Sequence, residues 1–299
     1  MPFVKRAIAL GFFDGVHRGH AGLLEKVKER AAEKQLVPTV LSFDTHPLSH
    51  IKGSPVPLIS SPADRTDIIR RIYGINDVLY MHFDEQMMHM PWMEFVDRLS
   101  TEFCAKHLVC GHDFTFGYKG EGRPNMLAER CAQLGIDCDI IPEIKLDGIT
   151  ISSTYIRTLI AAGDMETAAK FLGHQHSLTD IVRYGYKFGR TIGSPTINMK
   201  IADDVLCPAR GVYAVRVTVP EDGLEGLPGV TNIGVRPTVG GEDEVSVETY
   251  ILDFDGDLYG KKVRLDFYKF LRPEQKFGSI EELKSHIAQD TETVRQYFK

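Results

Sequence analysis

The spacing of apolar residues changes near residue 174, and this change constrains the fold of the 299-residue chain more than any other feature. Before it, short apolar runs alternate with segments in which apolar residues recur at helical spacing, as Leu23, Leu24 and Val27 do. After it, the runs are rich in Val, Ile, Thr and Tyr and are separated by Gly, Asp and Pro. A chain of this length has room for two domains. We therefore predict two domains, 1–175 and 176–299.

The sequence pattern of each half predicts a different architecture. Strands that alternate with helices predict a Rossmann-like, doubly wound parallel sheet in the first half. The β-rich second half predicts an antiparallel barrel or sandwich, followed by a helix in which Ser279 and Glu282 have capping-box spacing. We expect His174 and His176 to lie in a solvated linker between the halves. The predicted strands of the first half are Ala7–Leu10, Val37–Phe43, Val78–Phe83, His107–Cys110 and Cys138–Ile141.

Charge, hydropathy and cysteine content restrict the location and the partners of the chain. The net charge of −6 argues against a nucleic-acid partner. No apolar run approaches the roughly 20 residues of a membrane span, and Asp14 interrupts the short apolar run near the N-terminus. The five cysteines include no CxxC pair, which favours reduced thiols. We therefore predict a cytoplasmic protein without a membrane partner.

The segment GFFDGVHRGH follows the first predicted strand and runs into the first helix, at the edge of a parallel sheet where ligands bind. Backbone N–H groups at a helix start attract phosphate. Gly11, Gly15 and Gly19 allow a tight turn and a close approach to a ligand. His17 and His20 can donate to the phosphate oxygens that gain charge in nucleotidyl transfer. A His-x-x-His pair alone also fits two ordinary loop histidines, but the surrounding glycines, strand and helix favour a nucleotide site.

A second basic element lies in the segment ISSTYIRTLI. Ser152 or Ser153 can cap a helix there. Arg157 then projects from the early turns of that helix, where its planar guanidinium can clamp phosphate oxygens. By itself the segment also fits a capped helix with a surface arginine.

The segment GRTIGSPTINM supplies a different kind of candidate site. Gly189 and Gly193 can form a phosphate-binding loop, which Pro195 stiffens. Thr196 and Asn198 stand two apart, so in a strand their side chains face the same side. Their oxygens suit Mg²⁺, which shares nucleotide phosphates. An ordinary solvent-facing pair is the alternative interpretation.

These segments carry a resemblance to a known family. GFFDGVHRGH resembles the nucleotidyltransferase signature, and GRTIGSPTINM resembles the riboflavin kinase signature. Together with VSVETYILDF, NIGVRPT and FLRPEQKF, they are similar in order along the chain to the bacterial bifunctional riboflavin kinase/FMN adenylyltransferases. The resemblance implies an α/β domain followed by an all-β Greek-key barrel with a terminal helix. It implies that ATP and riboflavin give FMN and ADP, and that ATP and FMN give FAD and pyrophosphate.

The resemblance also implies roles for residues and a cofactor. Mg²⁺ is the implied cofactor, and we expect a monomer or a weak homo-oligomer. His17, His20 and Arg157 would bind ATP phosphates and stabilise the transition state, and Glu248 would accept the proton of the ribityl 5′-hydroxyl. Further implied nucleotide-binding residues are Gly11, Phe13, Asp14, Gly15, Gly19, Ser152, Ser153, Thr154, Gly189, Gly193 and Pro195. Implied flavin-binding residues are Asp113, Phe114, Phe116 and Arg272, and implied metal ligands are Thr196 and Asn198.

Two residues of the first half depart from the family pattern. Thr45 stands where the family usually has proline before His46-Pro47, and Arg123 follows Gly122 where Asn or Asp is usual. Both lie in segments that would form the flavin part of the adenylylation site. They motivate one alternative, a riboflavin kinase whose adenylyltransferase half has weakened. A second alternative is a non-catalytic flavin-binding regulator, which would not need the full set of polar site residues.

Overall fold

The computed structural model describes residues 4–185, 193–237 and 243–299. The chain divides into two compact units, Met1–Ser153 and Thr154–Lys299. The functional boundary at 175/176 lies within the second unit and stays a prediction. Among the described helices, none is both long enough and apolar enough to cross a membrane.

The first unit is the predicted doubly wound parallel sheet, with strand order β3-β2-β1-β4-β5. The central strand β1 is buried because helices cover both faces of such a sheet. The strands are β1 Arg6–Leu10, β2 Val37–Phe43, β3 Asp77–Met81, β4 Ala105–Gly111 and β5 Asp137–Ile141, with a hairpin of β6 Lys145–Leu146 and β7 Ile149–Thr150. The helices are α1 Arg18–Lys34, α2 Pro47–Lys52, α3 Pro62–Tyr73, α4 Glu85–Met88, α5 Trp92–Thr101 and α6 Pro124–Leu134.

Local sequence explains the two helices that matter most for the first site. In α1, Leu23, Leu24 and Val27 are buried and form the predicted apolar stripe. The helix α3 begins at a cap, because Ser61 Oγ accepts from the backbone N–H of Asp64 at 3.1 Å. The stripe explains why α1 packs against the core of the first unit, and the cap explains where α3 begins.

The described part of the second unit contains two helices, a six-stranded antiparallel sheet and a terminal helix. The strand order is β8-β13-β10-β11-β12-β9. The backbone N–H of Arg183, just after β8, donates to the Asn198 carbonyl of β9 at 2.9 Å. This bond joins the two edges, so the sheet curls closed as a barrel and not as a sandwich. The elements are α7 Ser153–Ala162, α8 Met165–Leu172, β8 His176–Ile181, β9 Thr196–Met199, β10 Gly211–Val219, β11 Leu224–Pro237, β12 Asp243–Ile251, β13 Lys262–Pro273 and α9 Ile280–Tyr297.

The start of α9 has the predicted cap. Ser279 Oγ accepts from the backbone N–H of Glu282 at 3.1 Å. The Glu282 carboxylate accepts from the backbone N–H of Gly278 at 2.7 Å, one residue earlier than in the usual capping box. Two backbone donors that precede or open the helix are thereby satisfied.

His176 corrects one prediction. It is the first residue of β8, is only 2% exposed, and packs against the ring of Phe267 at 5.8 Å. The prediction that His174 and His176 lie in a solvated linker is therefore wrong for His176. Burial, with a smaller contribution from His174, lowers the pKa of His176 to about 3.

The five cysteines are all free thiols. Cys110, Cys131 and Cys138 lie in one core cluster of the first unit. The neighbouring Cys110 thiol and burial raise the pKa of Cys138 to about 12, against a smaller opposing effect of Cys131. The pKa of Cys131 is raised as well, so the thiols of Cys131 and Cys138 are protonated at neutral pH.

Candidate active sites

The turn between β1 and α1 has an unusual backbone. Phe13 has φ 56° and Val16 has φ 42°, both in the left-handed region that non-glycine residues rarely adopt. Gly15 has φ 72° and meets the same requirement without a side chain. Such residues cost about 1–3 kcal/mol each and persist only where surrounding contacts hold them. Contacts with the rest of the first unit must therefore hold the turn in this conformation.

Contacts from two segments of the chain hold this turn, residues 59–60 and Ser153. Asp14 Oδ1 accepts from the backbone N–H groups of Ile59 at 2.9 Å and Ser60 at 3.1 Å. Ser60 Oγ accepts from the backbone N–H of Gly15 at 3.0 Å. Ser153 Oγ donates to the Asp14 carbonyl at 3.0 Å. The Asp14 side chain is buried and supports the turn from inside.

The two predicted histidines stack on each other where α1 begins. The rings of His17 and His20 are 3.6 Å apart and inclined by only 12°. Gly19 makes this possible, because a Cβ there would lie 3.0 Å from the His17 ring and 3.4 Å from the Ile151 carbonyl. The glycine of the His-x-Gly-His pattern thus makes room for the first histidine.

The environment of His20 favours a neutral imidazole. Its side chain is half-buried, and its Nδ1 is buried without a hydrogen-bond partner among the described residues. Burial, then the neighbouring His17, then Arg65 lower its pKa well below 6.5. A buried polar nitrogen at a helix start fits an anionic ligand that would complete its hydrogen bonding.

The predicted helix around Arg157 is present as α7, which begins at Ser153. Ser152 therefore occupies the position before the first helical residue. Thr154 is exposed, and Arg157 is half-buried in the second turn. The proposed phosphate contact of Arg157 stays a prediction.

The flavin candidates of the first unit separate into surface and core positions. Asp113 is exposed and Phe114 is half-buried, whereas Phe116 lies in the core against the ring of Phe95 at 5.4 Å. A Cβ on Gly122 would lie 2.6 Å from the Phe116 ring. Phe116 therefore shapes the loop from inside, and Asp113 and Phe114 remain accessible.

The structure shows the surroundings of Arg123 and of the segment after Thr45, the two departures from the family pattern in the first half. Arg123 Nη1 donates to the carbonyls of Gly120 and Gly122, so this side chain closes the loop. The segment after Thr45 turns back towards the histidine turn, where the ring of His46 contacts that of Phe12 at 4.5 Å.

The candidate site of the second unit lies across three paired strands. Asn198 of β9 stands opposite Glu248 of β12, which in turn stands opposite Asn232 of β11. Thr196 of β9 stands opposite Tyr250 of β12. Directly opposed residues, and residues two apart in a strand, face the same side of a sheet. The predicted Thr196, Asn198 and Glu248 therefore share one face.

Two further residues of this site were not predicted. A Cβ on Gly185 would lie 2.5 Å from Asn198 Nδ2, so only glycine allows the observed position of that amide. Asn232 continues the polar row and belongs to the NIGVRPT segment, which carried the resemblance without a role for this residue. Only the register could have revealed it.

A cavity of about 570 Å³ adjoins Thr196. Gly193, on its approach, has φ 83° and is exposed, whereas Gly189 lies outside the described residues. The wall combines apolar and aromatic side chains with two carboxylates. The lining residues are Val182, Pro195, Thr196, Ile197, Ile251, Phe254, Asp255, Gly256, Asp257, Leu258 and Tyr259.

Arg272 has a structural partner. Its Nε and Nη2 donate to the two carboxylate oxygens of Asp290 at 3.1 and 2.8 Å, and its Nη1 donates to the Pro273 carbonyl. This bidentate pair ties β13 to α9. The predicted flavin contact of Arg272 stays a prediction.

The donor set of the second site fits Mg²⁺. Within the described ranges, no group of three His, Cys, Asp or Glu side chains could hold a metal. Mg²⁺ does not need such a cage, since it commonly takes one or two protein oxygens together with phosphates and waters. Thr196, Asn198 and Glu248 offer oxygens of this kind on one face.

Comparisons with known proteins agree on both halves of the chain. A family model described as FAD synthetase matches residues 3–155, and one described as riboflavin kinase matches residues 172–298. A bifunctional riboflavin kinase/FMN adenylyltransferase from Listeria monocytogenes is 35% identical, over 99% of this chain and 93% of its own. The protein of that name from Escherichia coli K12 is 35% identical over 97% and 92%. A crystal structure titled as a macrolide-efflux protein from Streptococcus pneumoniae superposes with a TM-score of 0.84 at 29% identity, covering 99% and 95%.

Proposed function

The chain belongs to the family of bifunctional riboflavin kinase/FMN adenylyltransferases, and we propose that residues 1–175 carry the adenylyltransferase and residues 176–299 the kinase. The protein is a transferase that uses ATP and flavins. It phosphorylates riboflavin to FMN and then adenylylates FMN to FAD with release of pyrophosphate.

For adenylyl transfer, the proposed machinery is the turn of residues 11–20. A phosphate oxygen of FMN attacks the α-phosphorus of ATP, and pyrophosphate leaves. Charge on the phosphate oxygens would be stabilised by His17, by His20 and by the N–H groups at the start of α1. The buried Nδ1 of His20 supports this proposal, because an anion would satisfy it. Asp113 and Phe114 are proposed to contact the flavin.

For the kinase, Glu248 is the proposed base. It would accept the proton of the ribityl 5′-hydroxyl as that oxygen attacks the γ-phosphorus, with ADP as the leaving group. Thr196 and Asn198 would hold Mg²⁺, which offsets the charge of the ATP phosphates when bound. The cavity beside Thr196 is proposed to receive part of the nucleotide, since Pro195 and Thr196 line it.

The observation that carries the kinase assignment is the register that places Glu248 directly opposite Asn198. For the complete reaction, the test is chromatographic separation of the products. Riboflavin with ATP and Mg²⁺ should give FMN and FAD, FMN with ATP and Mg²⁺ should give FAD, and EDTA should stop both reactions.

The same assay separates the alternatives. FMN as the end product, with no FAD even from added FMN, would favour the kinase with a weakened adenylyltransferase half that Thr45 and Arg123 motivate. No ATP-dependent turnover would favour a flavin-binding regulator. A cytoplasmic location and a monomer or weak homo-oligomer remain predictions, and light scattering of the purified chain tests the second.

A further inference from the structure

Arg65 of α3 is completely buried, although it belongs to no predicted site. Removal of a guanidinium from water costs several kcal/mol, by general estimates, unless good contacts compensate. A buried cation at this position therefore calls for a physical reason. Its contacts supply one.

The guanidinium holds Phe12, the residue that precedes the left-handed backbone of the histidine turn. Its Cζ lies 4.2 Å from the centre of the Phe12 ring. Its Nη1 donates to Ser42 Oγ at 2.8 Å, and Ser42 Oγ donates in turn to the Phe12 carbonyl at 2.8 Å. A second bond from Nη1 reaches the Phe43 carbonyl at 3.1 Å. Arg65 thus fixes both the ring and the backbone of Phe12 against the end of β2.

The segment that carries Arg65 holds the turn at a second point. Ile59 and Ser60, which precede α3, bind the Asp14 carboxylate and the Gly15 backbone. The contacts that hold Phe12 are therefore reinforced by the hydrogen bonds that hold Asp14 and Gly15. Phe12 also contacts the His46 ring, so its position affects the segment after β2 as well.

We propose that Arg65 is a positioning residue for adenylyl transfer, which holds Phe12 and thereby the turn that presents His17 and His20. The inference rests on the proposed role of the two histidines. Arg65 has no exposed surface, so its proposed effect on the reaction is indirect. Its effect is transmitted through Phe12 and Ser42.

The charge of Arg65 has a second consequence. The charged and titratable groups that act on His20 are His17 at the start of α1 and Arg65 of α3, and both, after burial, lower the pKa of His20. Loss of the guanidinium charge should raise that pKa. The acid limb of the pH profile for FAD formation should then move to higher pH.

The experiment compares Arg65→Met, Arg65→Lys and the control Arg70→Met, which alters an exposed arginine of the same helix. FAD formation from FMN is measured as kcat, KM and pH profile. Riboflavin phosphorylation by the same sample reports folding of the second unit, and far-UV circular dichroism with the melting temperature reports folding of the whole chain. Arg65→Met should lower the adenylylation kcat by about 100-fold, the loss that a displacement of about 1 Å can cause, and change KM by less than about threefold. Arg65→Lys should lose about tenfold, because it keeps the charge without the planar fork, and should keep the acid limb in place. Phosphorylation, and both activities of Arg70→Met, should stay unchanged.

Wild-type FAD formation by Arg65→Met would overturn the inference, as would a lowered melting temperature with unchanged kcat. If Arg65→Met does not fold, Ser42→Ala decides, since it deletes the hydroxyl between Arg65 and Phe12. It should lower FAD formation about tenfold with phosphorylation intact, and a wild-type rate would overturn the inference. A wild-type protein that makes no FAD from FMN would instead overturn the proposed function.

Discussion

The two sites position their side chains in different ways. In the first unit, Phe13 and Val16 leave regular backbone geometry, and the histidines follow a turn that buried side chains hold in place. In the second unit, Asn198 and Glu248 stand in ordinary antiparallel strands, and the register alone makes them neighbours.

The difference shows what each site depends on. Where strain is present, distant residues such as Ser60 and Arg65 must supply the geometry. Where the backbone hydrogen bonds between paired strands set the positions of the site residues, a single distant side chain adds little to that geometry. The first site should therefore be sensitive to substitutions behind it, and the second to changes in the row itself or in residues that touch the row.

The largest expected effect is a separate loss of each activity. His17→Ala should lower FAD formation from FMN by about 1000-fold, because it removes a donor to the charge of the transition state. Glu248→Ala should lower riboflavin phosphorylation by about 1000-fold, because it removes the proposed base. Each variant should retain the other activity within about twofold. Steady-state rates of both reactions on each purified variant give the comparison.

Asn198→Ala serves as a second variant of the kinase row and should behave as Glu248→Ala does. If one substitution removed both activities from a folded protein, the assignment of the sites to separate residues would be wrong. Far-UV circular dichroism distinguishes that result from unfolding.

Much of the fold was predictable because it follows from local periodicity. The five strands of the parallel sheet are confirmed with small shifts of their ends, as for β4, which extends beyond the predicted His107–Cys110. The cap at Ser279 is confirmed for the same reason, since capping depends on neighbours in sequence. His176 could not be placed this way, because its burial comes from the barrel that surrounds it.

The candidate residues followed the same rule. Thr196 and Asn198 could be placed on one face from their spacing alone, whereas the partnership with Glu248 required the register. Gly185 and Arg65 gave no signal, since each acts through a contact distant in sequence. Sequence patterns identified the side chains that are proposed to act on a ligand, and they missed residues whose contacts hold other side chains in place.

Alanine substitutions of two glycines, one near each site, are expected to have the next largest effects, each on a different activity. Alanine at Gly185 would place a Cβ 2.5 Å from Asn198 Nδ2, so the amide must move, and riboflavin phosphorylation should fall about 100-fold. Alanine at Gly19 would place a Cβ 3.0 Å from the His17 ring, a milder conflict, and FAD formation should fall about tenfold. Rates of both reactions check the prediction.

Gly278→Ala is the matched control, because a Cβ there meets its nearest side-chain atom at an ordinary 3.4 Å. It should leave both activities unchanged. Equal rates for Gly185→Ala and wild type would show that the position of Asn198 does not limit the kinase.

The next effect is a pH dependence of the free energy of unfolding, caused by His176 in the second unit. Unfolding exposes His176, whose pKa then returns from about 3 towards 6.5, so the unfolded chain takes up a proton that the folded chain does not. The free energy of unfolding should therefore fall as pH drops below 6.5, by about 2 kcal/mol between pH 6.5 and 5. Hydrogen exchange of the β13 amides as a function of pH measures it. His176→Leu should remove this slope and His286→Leu should keep it, whereas an unchanged slope in His176→Leu would contradict the assignment.

The smallest expected effect is confined to α9. Ser279→Ala removes the oxygen that accepts from the Glu282 N–H and should cost about 1 kcal/mol in the first turn. The rest of the helix should hold, because Asp290 pairs with Arg272 and Val294 is completely buried. Faster exchange of the Leu283 amide, with both activities within about twofold of wild type, is the expected result, since the kinase row is fixed by strand register and not by this helix. A large loss of phosphorylation in Ser279→Ala would mean that the second site, like the first, depends on support from behind.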